Sequence, residues 1–242
     1  MLLNYQPIID IRSRKIVKAE ALARFPDSPP GLDSPDGFIP YAEQNGLMAG
    51  FTSWLFSNAF EFWGRLGAPA PELSLNLSVQ NLLEPDLVDR MLASAAANGV
   101  KPTRIWLEFG ERLFDVHDAH SHEALSRLTR AGVRLCLDGF GPALSPVSHL
   151  QLGDLPVREV KLDMSMTSHI DTDPGQRAKV AGIVEITRHL SLDLAAKGVE
   201  RYGLIEQLSR SGFVRAQGRA IAPPMDAEAL SSFLRSPAPT AA

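Results

Sequence analysis

A chain of 242 residues has room for one large core, and a single barrel of this size is common. With 45% apolar and 21% charged residues and a formal net charge of −4, the composition is that of an ordinary globular protein. It excludes the strongly basic field that would draw a nucleic acid polymer or an anionic membrane surface.

From the N-terminus, residues 4–11 and 16–23 read as strands joined by DIRSRK. That linker is too short for a crossover helix, so the pair is expected to form an antiparallel hairpin. The stretch PDSPPGLDSPDG reads as a surface loop leading into a helix that begins near Phe38. Trp54, Phe56, Phe60, Phe62 and Trp63 then share one long helical stretch, mostly core, with enough aromatic surface to include an interface patch. Further strands are expected at 72–77, 104–109, 134–137, 159–163, 193–196 and 213–216. Helical patterns lie between them, for instance over 176–190, where Val180, Ile183, Val184, Thr187 and Leu190 recur at spacings that make one apolar face. The glycines of NGVKP, AGVRL and SGFVR suit the left-handed residue that ends a helix before the next strand. The alternation predicts an α/β fold, a closed (β/α)8 barrel with an irregular, antiparallel start. It spans residues 1–234 as one domain and leaves 235–242, RSPAPTAA, as a disordered tail.

Cys136 is the single cysteine and sits in the apolar run VRLCLD, so it reads as a core thiol of a protein from a reducing compartment. No run approaches a membrane span and the first ten residues lack a basic leader, which predicts a cytoplasmic protein, or a cytoplasmic domain of a longer one, with no membrane insertion. His117, His120 and His122 in HDAHSH have spacing that suits a metal, but they lie in a polar stretch before a helix and read as solvated surface.

In a barrel of this kind the strand C-terminal ends converge on one mouth. Here those ends carry Glu20, Asn76, Glu108, Asp138, Lys161 with Asp163, Lys197 and Gln217. Any one of them alone is most simply a capping or solvated residue. Independent surface acids, however, have no reason to fall at the same end of successive strands. Three carboxylates and an amide are oxygen ligands, which suit magnesium, manganese or calcium better than zinc.

The segments YQPIIDIRSRKIVKAEALARF, PDGFIPYAEQNGLM, LSLNLS, LEFGE, LDGFG, VKLDMS, KGVE and VRAQG, in this order and spacing, resemble the EAL domain family, the phosphodiesterases of the bacterial messenger cyclic di-GMP. The resemblance covers nearly the whole chain. It implies a barrel that binds cyclic di-GMP across its mouth and, in active members, two magnesium or manganese ions that activate a water to open one phosphodiester bond. Carried over position by position, it implies a first metal site of Glu20, Asn76, Glu108 and Asp138. It implies a loop-steadying Glu111, and a Lys-x-Asp pair at Lys161 and Asp163 with the lysine orienting the water. Gln6, Leu22, Arg24 and Gln217 match positions that grip the dinucleotide. A homodimer is also implied.

Three departures decide the functional expectation. Gly139 stands where the family has a second metal-binding aspartate, and Lys197 stands where it has a catalytic glutamate. The segment after Asp138 is proline-bearing and about two residues longer than the family's mobile loop. A lysine with an ordinary pKa near 10.4 needs a shift of roughly three units to act as a base at pH 7, and neighbouring carboxylates push it the other way. Lys197 is thus expected to be a cation standing where metal charge used to be, or else to snorkel to solvent. Either way the carboxylate is missing, no catalytic residue set is expected, and no cofactor is required, with magnesium, manganese or calcium confined to the remnant first site. The leading expectation is a cyclic di-GMP receptor that signals through a protein partner. The alternatives are a weak one-metal phosphodiesterase and a nucleotide-independent interaction scaffold.

Overall fold

The computed structural model of the protein describes residues 1–67, 69–141 and 156–235. Among these, eight strands close into a barrel in chain order: β1 (Leu2–Asp10), β2 (Ile16–Arg24), β3 (Glu72–Asn76), β4 (Ile105–Phe109), β5 (Arg134–Phe140), β6 (Val157–Leu162), β7 (Asp193–Ala196) and β8 (Arg215–Gln217). β1 runs antiparallel to both β2 and β8, and every other neighbouring pair is parallel. The hairpin expected from the short linker is therefore present. Because β1 is reversed, its N-terminal half, not its end, reaches the mouth, and Gln6 pairs with Glu20.

The helices are α1 (Pro35–Gln44), α2 (Met48–Leu66), α3 (Leu87–Ala97), α4 (Ala119–Arg130), α5 (Met164–Thr167), α6 (Pro174–His189), α7 (Leu204–Arg210) and α8 (Ala227–Arg235). Their starts follow local chemistry. Asp173 accepts from the N–H groups of Gly175 and Gln176 at 2.7 and 3.2 Å, with Pro174 as first helical residue. Asp118 caps α4 through Ser121 N–H at 2.8 Å. Gly99, Gly132 and Gly212 take φ of 68°, 97° and 96° after α3, α4 and α7, the left-handed exits read from the sequence.

Some boundaries differ from expectation. α1 starts at Pro35, not near Phe38, because Ser34 is extended and proline is pre-set for a first turn. β5 runs on to Phe140, through the site segment, and α8 takes in Arg235, the first residue of the expected tail. The long segment after Asp138 and the terminal stretch, residues 142–155 and 236–242, lie outside the described residues.

Successive strand residues face opposite ways. Leu73, Leu75, Leu107, Leu135, Leu137, Val160, Leu162 and Leu194 point outward and are buried beneath the helices. Phe56, Phe60, Phe62 and Trp63 of α2 join that core, with Trp54 packed at its edge. The alternate positions face the lumen, and most of the residues there are polar, with Ile8, Leu22, Trp106 and Ala195 among them. His117 and His120 are exposed, while His122 makes one contact to Val116 O at 3.1 Å. Among the described residues, no helix is long and apolar enough to cross a membrane.

Candidate functional site

The lumen-facing positions are two apart on each strand: Lys18, Glu20, Leu22 and Arg24 on β2; Glu72, Ser74 and Asn76 on β3; Trp106 and Glu108 on β4; Cys136 and Asp138 on β5; Glu159 and Lys161 on β6; Arg215 and Gln217 on β8. Parallel register stacks them in layers. Asn76 lies beside Glu108 and Glu20 beside Ser74, so the last polar residue of each strand reaches the same end.

At the centre of the mouth, Lys161 Nζ donates to Glu108 Oε2 at 2.6 Å and Glu20 Oε2 at 3.0 Å and lies 4.0 Å from Asp138 Oδ1. Glu20 also accepts from Asn76 Nδ2 on Oε1 and from Gln217 Nε2 on Oε2, both at 2.7 Å. Gln217 Nε2 reaches Gln6 Oε1 at 3.2 Å, and Gln6 Nε2 donates to Ala222 O at 3.1 Å. Ser74 Oγ holds Glu108 Oε1. Lys197, just past β7, donates from Nζ to Asp138 Oδ2 at 2.7 Å, and its backbone N–H is fixed to Leu162 O at 3.0 Å.

The sequence-derived residues thus divide. Gln6, Glu20, Asn76, Glu108, Asp138, Lys161, Lys197 and Gln217 form one bonded cluster. Leu22 and Arg24 lie on the same face of β2 as Glu20, at the rim, with Arg24 Nη1 on Ala23 O at 2.9 Å. Asp163 is turned to another task, capping α5 through Ser165 N–H at 2.9 Å. Glu111 Oε1 accepts from Gly141 N–H at 2.9 Å, at the last residue described before the long segment. Gly139 has a φ of +71°, a left-handed backbone with nothing within 4 Å of where a Cβ would sit.

Charge explains the titration pattern. Burial raises the Glu20 carboxyl, but Lys161, Lys197 and the two amide donors outweigh it and hold the group at about 2. Glu108 goes the other way, to about 7, through burial and the Glu20 charge, with Lys161 opposing. Two ammonium groups, Lys161 and Lys197, face three carboxylates and leave one negative charge in excess, and the most enclosed carboxylate, Glu108, is the one whose proton affinity rises. Both lysines stay cationic: burial lowers them, and the carboxylates, Glu108 for Lys161 and Asp138 for Lys197, more than reverse it.

A second polar layer fills the opposite end of the lumen, and sequence reasoning missed it. Lys18 Nζ donates to Glu159 Oε1 at 2.6 Å and lies 4.1 Å from the Trp106 ring centre. Arg215 bridges Glu159 and Asp193 at 2.6 and 2.7 Å, and Cys136, the buried free thiol, faces Glu159 at 3.3 Å. The signal was the period-two polar pattern in KAEALAR, REVKLD and RAQ, which continues below the strand ends.

As arranged here, the donor set does not fit a divalent ion. Among the described residues, no group of three His, Cys, Asp or Glu side chains is placed to hold one. Every carboxylate oxygen of Glu20, Glu108 and Asp138 already accepts a hydrogen bond except Asp138 Oδ1, which is buried without a donor.

Comparison with known proteins is consistent with this outline. A family model described as EAL domain matches residues 1–224. The probable cyclic di-GMP phosphodiesterase PdeB of Escherichia coli (strain K12) is 32% identical over 217 residues, covering 89% of this chain and 41% of that protein. The bifunctional diguanylate cyclase/cyclic di-GMP phosphodiesterase MucR of Pseudomonas aeruginosa is 30% identical over 233 residues, 95% of this chain and 34% of that one. The chain spans about a third of the length of the curated relatives it matches, 33% and 34% for two of them. Among solved structures, the MucR phosphodiesterase in complex with cyclic di-GMP superposes with a TM-score of 0.83 at 30% identity, over 95% of this chain and 93% of that one. A calcium and cyclic di-GMP complex of Klebsiella pneumoniae BlrP1 gives 0.79 at 26% identity, over 93% and 55%.

Proposed function

The chain belongs to the EAL domain family, and from that premise we propose that it is a cytoplasmic receptor that binds cyclic di-GMP without hydrolysing it and passes the signal to a protein partner. The observation that carries the reading is Lys197 Nζ, 2.7 Å from Asp138 Oδ2, in the position where the family resemblance puts a catalytic carboxylate. A protonated amine accepts no proton from water and repels a metal ion. Losing a general base alone costs about 10²- to 10⁴-fold in rate. Gly139 adds the loss of a second carboxylate.

The ligand-binding set is Gln6, Glu20, Leu22, Arg24, Asn76, Asp138, Lys161, Asp163 and Gln217. Arg24 on the rim offers a planar fork for a phosphate oxygen, and Leu22 offers apolar surface for a base. Glu111 steadies the start of the segment that follows Asp138. A homodimer is part of the same proposal.

One observation favours a second reading, a weak one-metal phosphodiesterase. Glu20, Asn76, Glu108 and Asp138 are gathered at one point, and Asp138 Oδ1 is open. Incubation with cyclic di-GMP and magnesium or manganese, followed by chromatography, separates the two. The receptor reading predicts intact nucleotide with the wild type and metal-dependent linear dinucleotide with the Lys197→Glu, Gly139→Asp double variant. Steady conversion by the wild type overturns it. A double variant that folds yet gains nothing counts against a simple loss of the metal site.

A further inference from the structure

We infer that Lys197 supplies at the mouth of this barrel the positive charge that a divalent ion brings in active members of the family, so that cyclic di-GMP binds without metal and Lys197 meets a phosphodiester of the ligand. The inference rests on the receptor reading above and deepens it.

The two ammonium groups are differently committed. Lys161 is buried, bonded to Glu20 and Glu108 at 3.0 and 2.6 Å, with Asp138 Oδ1 at 4.0 Å. It completes the scaffold. Lys197 has a single bonded carboxylate among the described residues, and its side chain is 38% exposed. An ammonium carries three donors, so Lys197 keeps donors for a group entering from solvent.

The charge around it also favours an anion of low charge. Glu20 and Asp138 face Lys161 and Lys197, while Glu108 shares Lys161 and is the carboxylate in excess. A phosphodiester oxygen beside Lys197 gains a charge-assisted hydrogen bond. A divalent ion there finds one open carboxylate oxygen, Asp138 Oδ1, with a lysine on either side of that carboxylate. Hard divalent ions take six or more oxygens, and releasing more of them means breaking the bonds of Lys161 and Asn76.

Gly139, the position next to Asp138, holds a left-handed φ of +71° that side chains rarely adopt. Gly198, next to Lys197, has a φ of +68°, and a Cβ there meets Met164 Cβ at 2.5 Å. The backbone of Lys197 is thereby set in a tight turn, with its N–H on Leu162 O.

The test pairs two measurements on the folded protein. Manganese(II) uptake is read from the loss of the free-ion electron paramagnetic resonance signal, without nucleotide, for the wild type and Lys197→Glu. Cyclic di-GMP affinity is read by calorimetry in EDTA and in magnesium for the wild type, Lys197→Met and Lys197→Arg. We expect no manganese uptake by the wild type, affinity equal within about twofold in the two buffers, a loss of about tenfold or more in Lys197→Met, and most affinity kept in Lys197→Arg. Manganese uptake by the wild type, or affinity that requires magnesium, overturns the metal-free claim. Unchanged affinity in Lys197→Met overturns the phosphate role. Wild type that takes up no manganese and binds no nucleotide sinks the receptor reading and the role of Lys197 with it, while metal exclusion stands.

Discussion

Glu20 and Glu108 contact the same ammonium and titrate in opposite directions, and their pH signatures separate. The folded Glu20 carboxyl, at about 2 against an ordinary 4.5, binds its proton less readily than in the unfolded chain. Its contribution to stability is therefore present above about pH 4.5 and lost as pH falls toward 2. Glu108, at about 7, holds a proton in the folded state that the unfolded chain has already released, so its contribution declines as pH rises from 4.5 to 7. Urea midpoints of the wild type are expected to fall between about pH 5 and about pH 7, and Glu108→Gln is expected to lose that falling limb. An unchanged limb in the variant contradicts the assignment. Removing the shared cation is more damaging. Lys161→Met leaves Glu20 and Glu108 buried side by side, and a loss of about 3–5 kcal/mol in urea unfolding is expected. A loss below about 1 kcal/mol means that the cluster relaxes around the gap.

At the scale of elements, two left-handed glycines, Gly139 within β5 and Gly198 after β7, set the backbone beside Asp138 and Lys197. Gly198→Ala introduces both an unfavourable φ and a clash with Met164, and should cost about 1–3 kcal/mol, or a fall of several degrees in Tm. Cyclic di-GMP affinity should fall with it, because Lys197 is the preceding residue. Gly139→Asp has space and only the backbone cost, so its Tm should drop less than that of Gly198→Ala. The reverse order in thermal melts argues against this picture of the two glycines. Elements were legible where chemistry is local. DIRSRK is too short for a crossover, and the glycines after α3, α4 and α7 mark left-handed exits. The start of α1 differs because the closing SPDG of PDSPPGLDSPDG reads as loop, whereas Ser34 is its cap and Pro35 opens the helix.

Across the whole molecule, the mouth was legible because each strand ends in a polar residue and barrel closure carries those ends to one place. What the residues do to one another was not legible. Gln217 bonds Glu20 across 197 positions and Lys18 bonds Glu159 across 141, contacts made only when β8 closes onto β1. Likewise, the sequence placed Lys161 at the mouth beside a remnant first metal site of Glu20, Asn76, Glu108 and Asp138, and only the folded barrel shows it bonded to Glu20 and Glu108. Asp163, paired with Lys161 in sequence, instead caps α5, because a strand-end aspartate beside a helix start finds N–H donors nearer than the lumen. The lower layer of Lys18, Glu159 and Arg215 continues the period-two pattern that marked the mouth. The most direct test of the account is a calorimetric titration of cyclic di-GMP into the purified protein in EDTA, repeated in magnesium, with the nucleotide recovered and chromatographed. The account predicts the same binding in both buffers and intact cyclic dinucleotide. Binding that appears only with magnesium, together with conversion to the linear product, contradicts it.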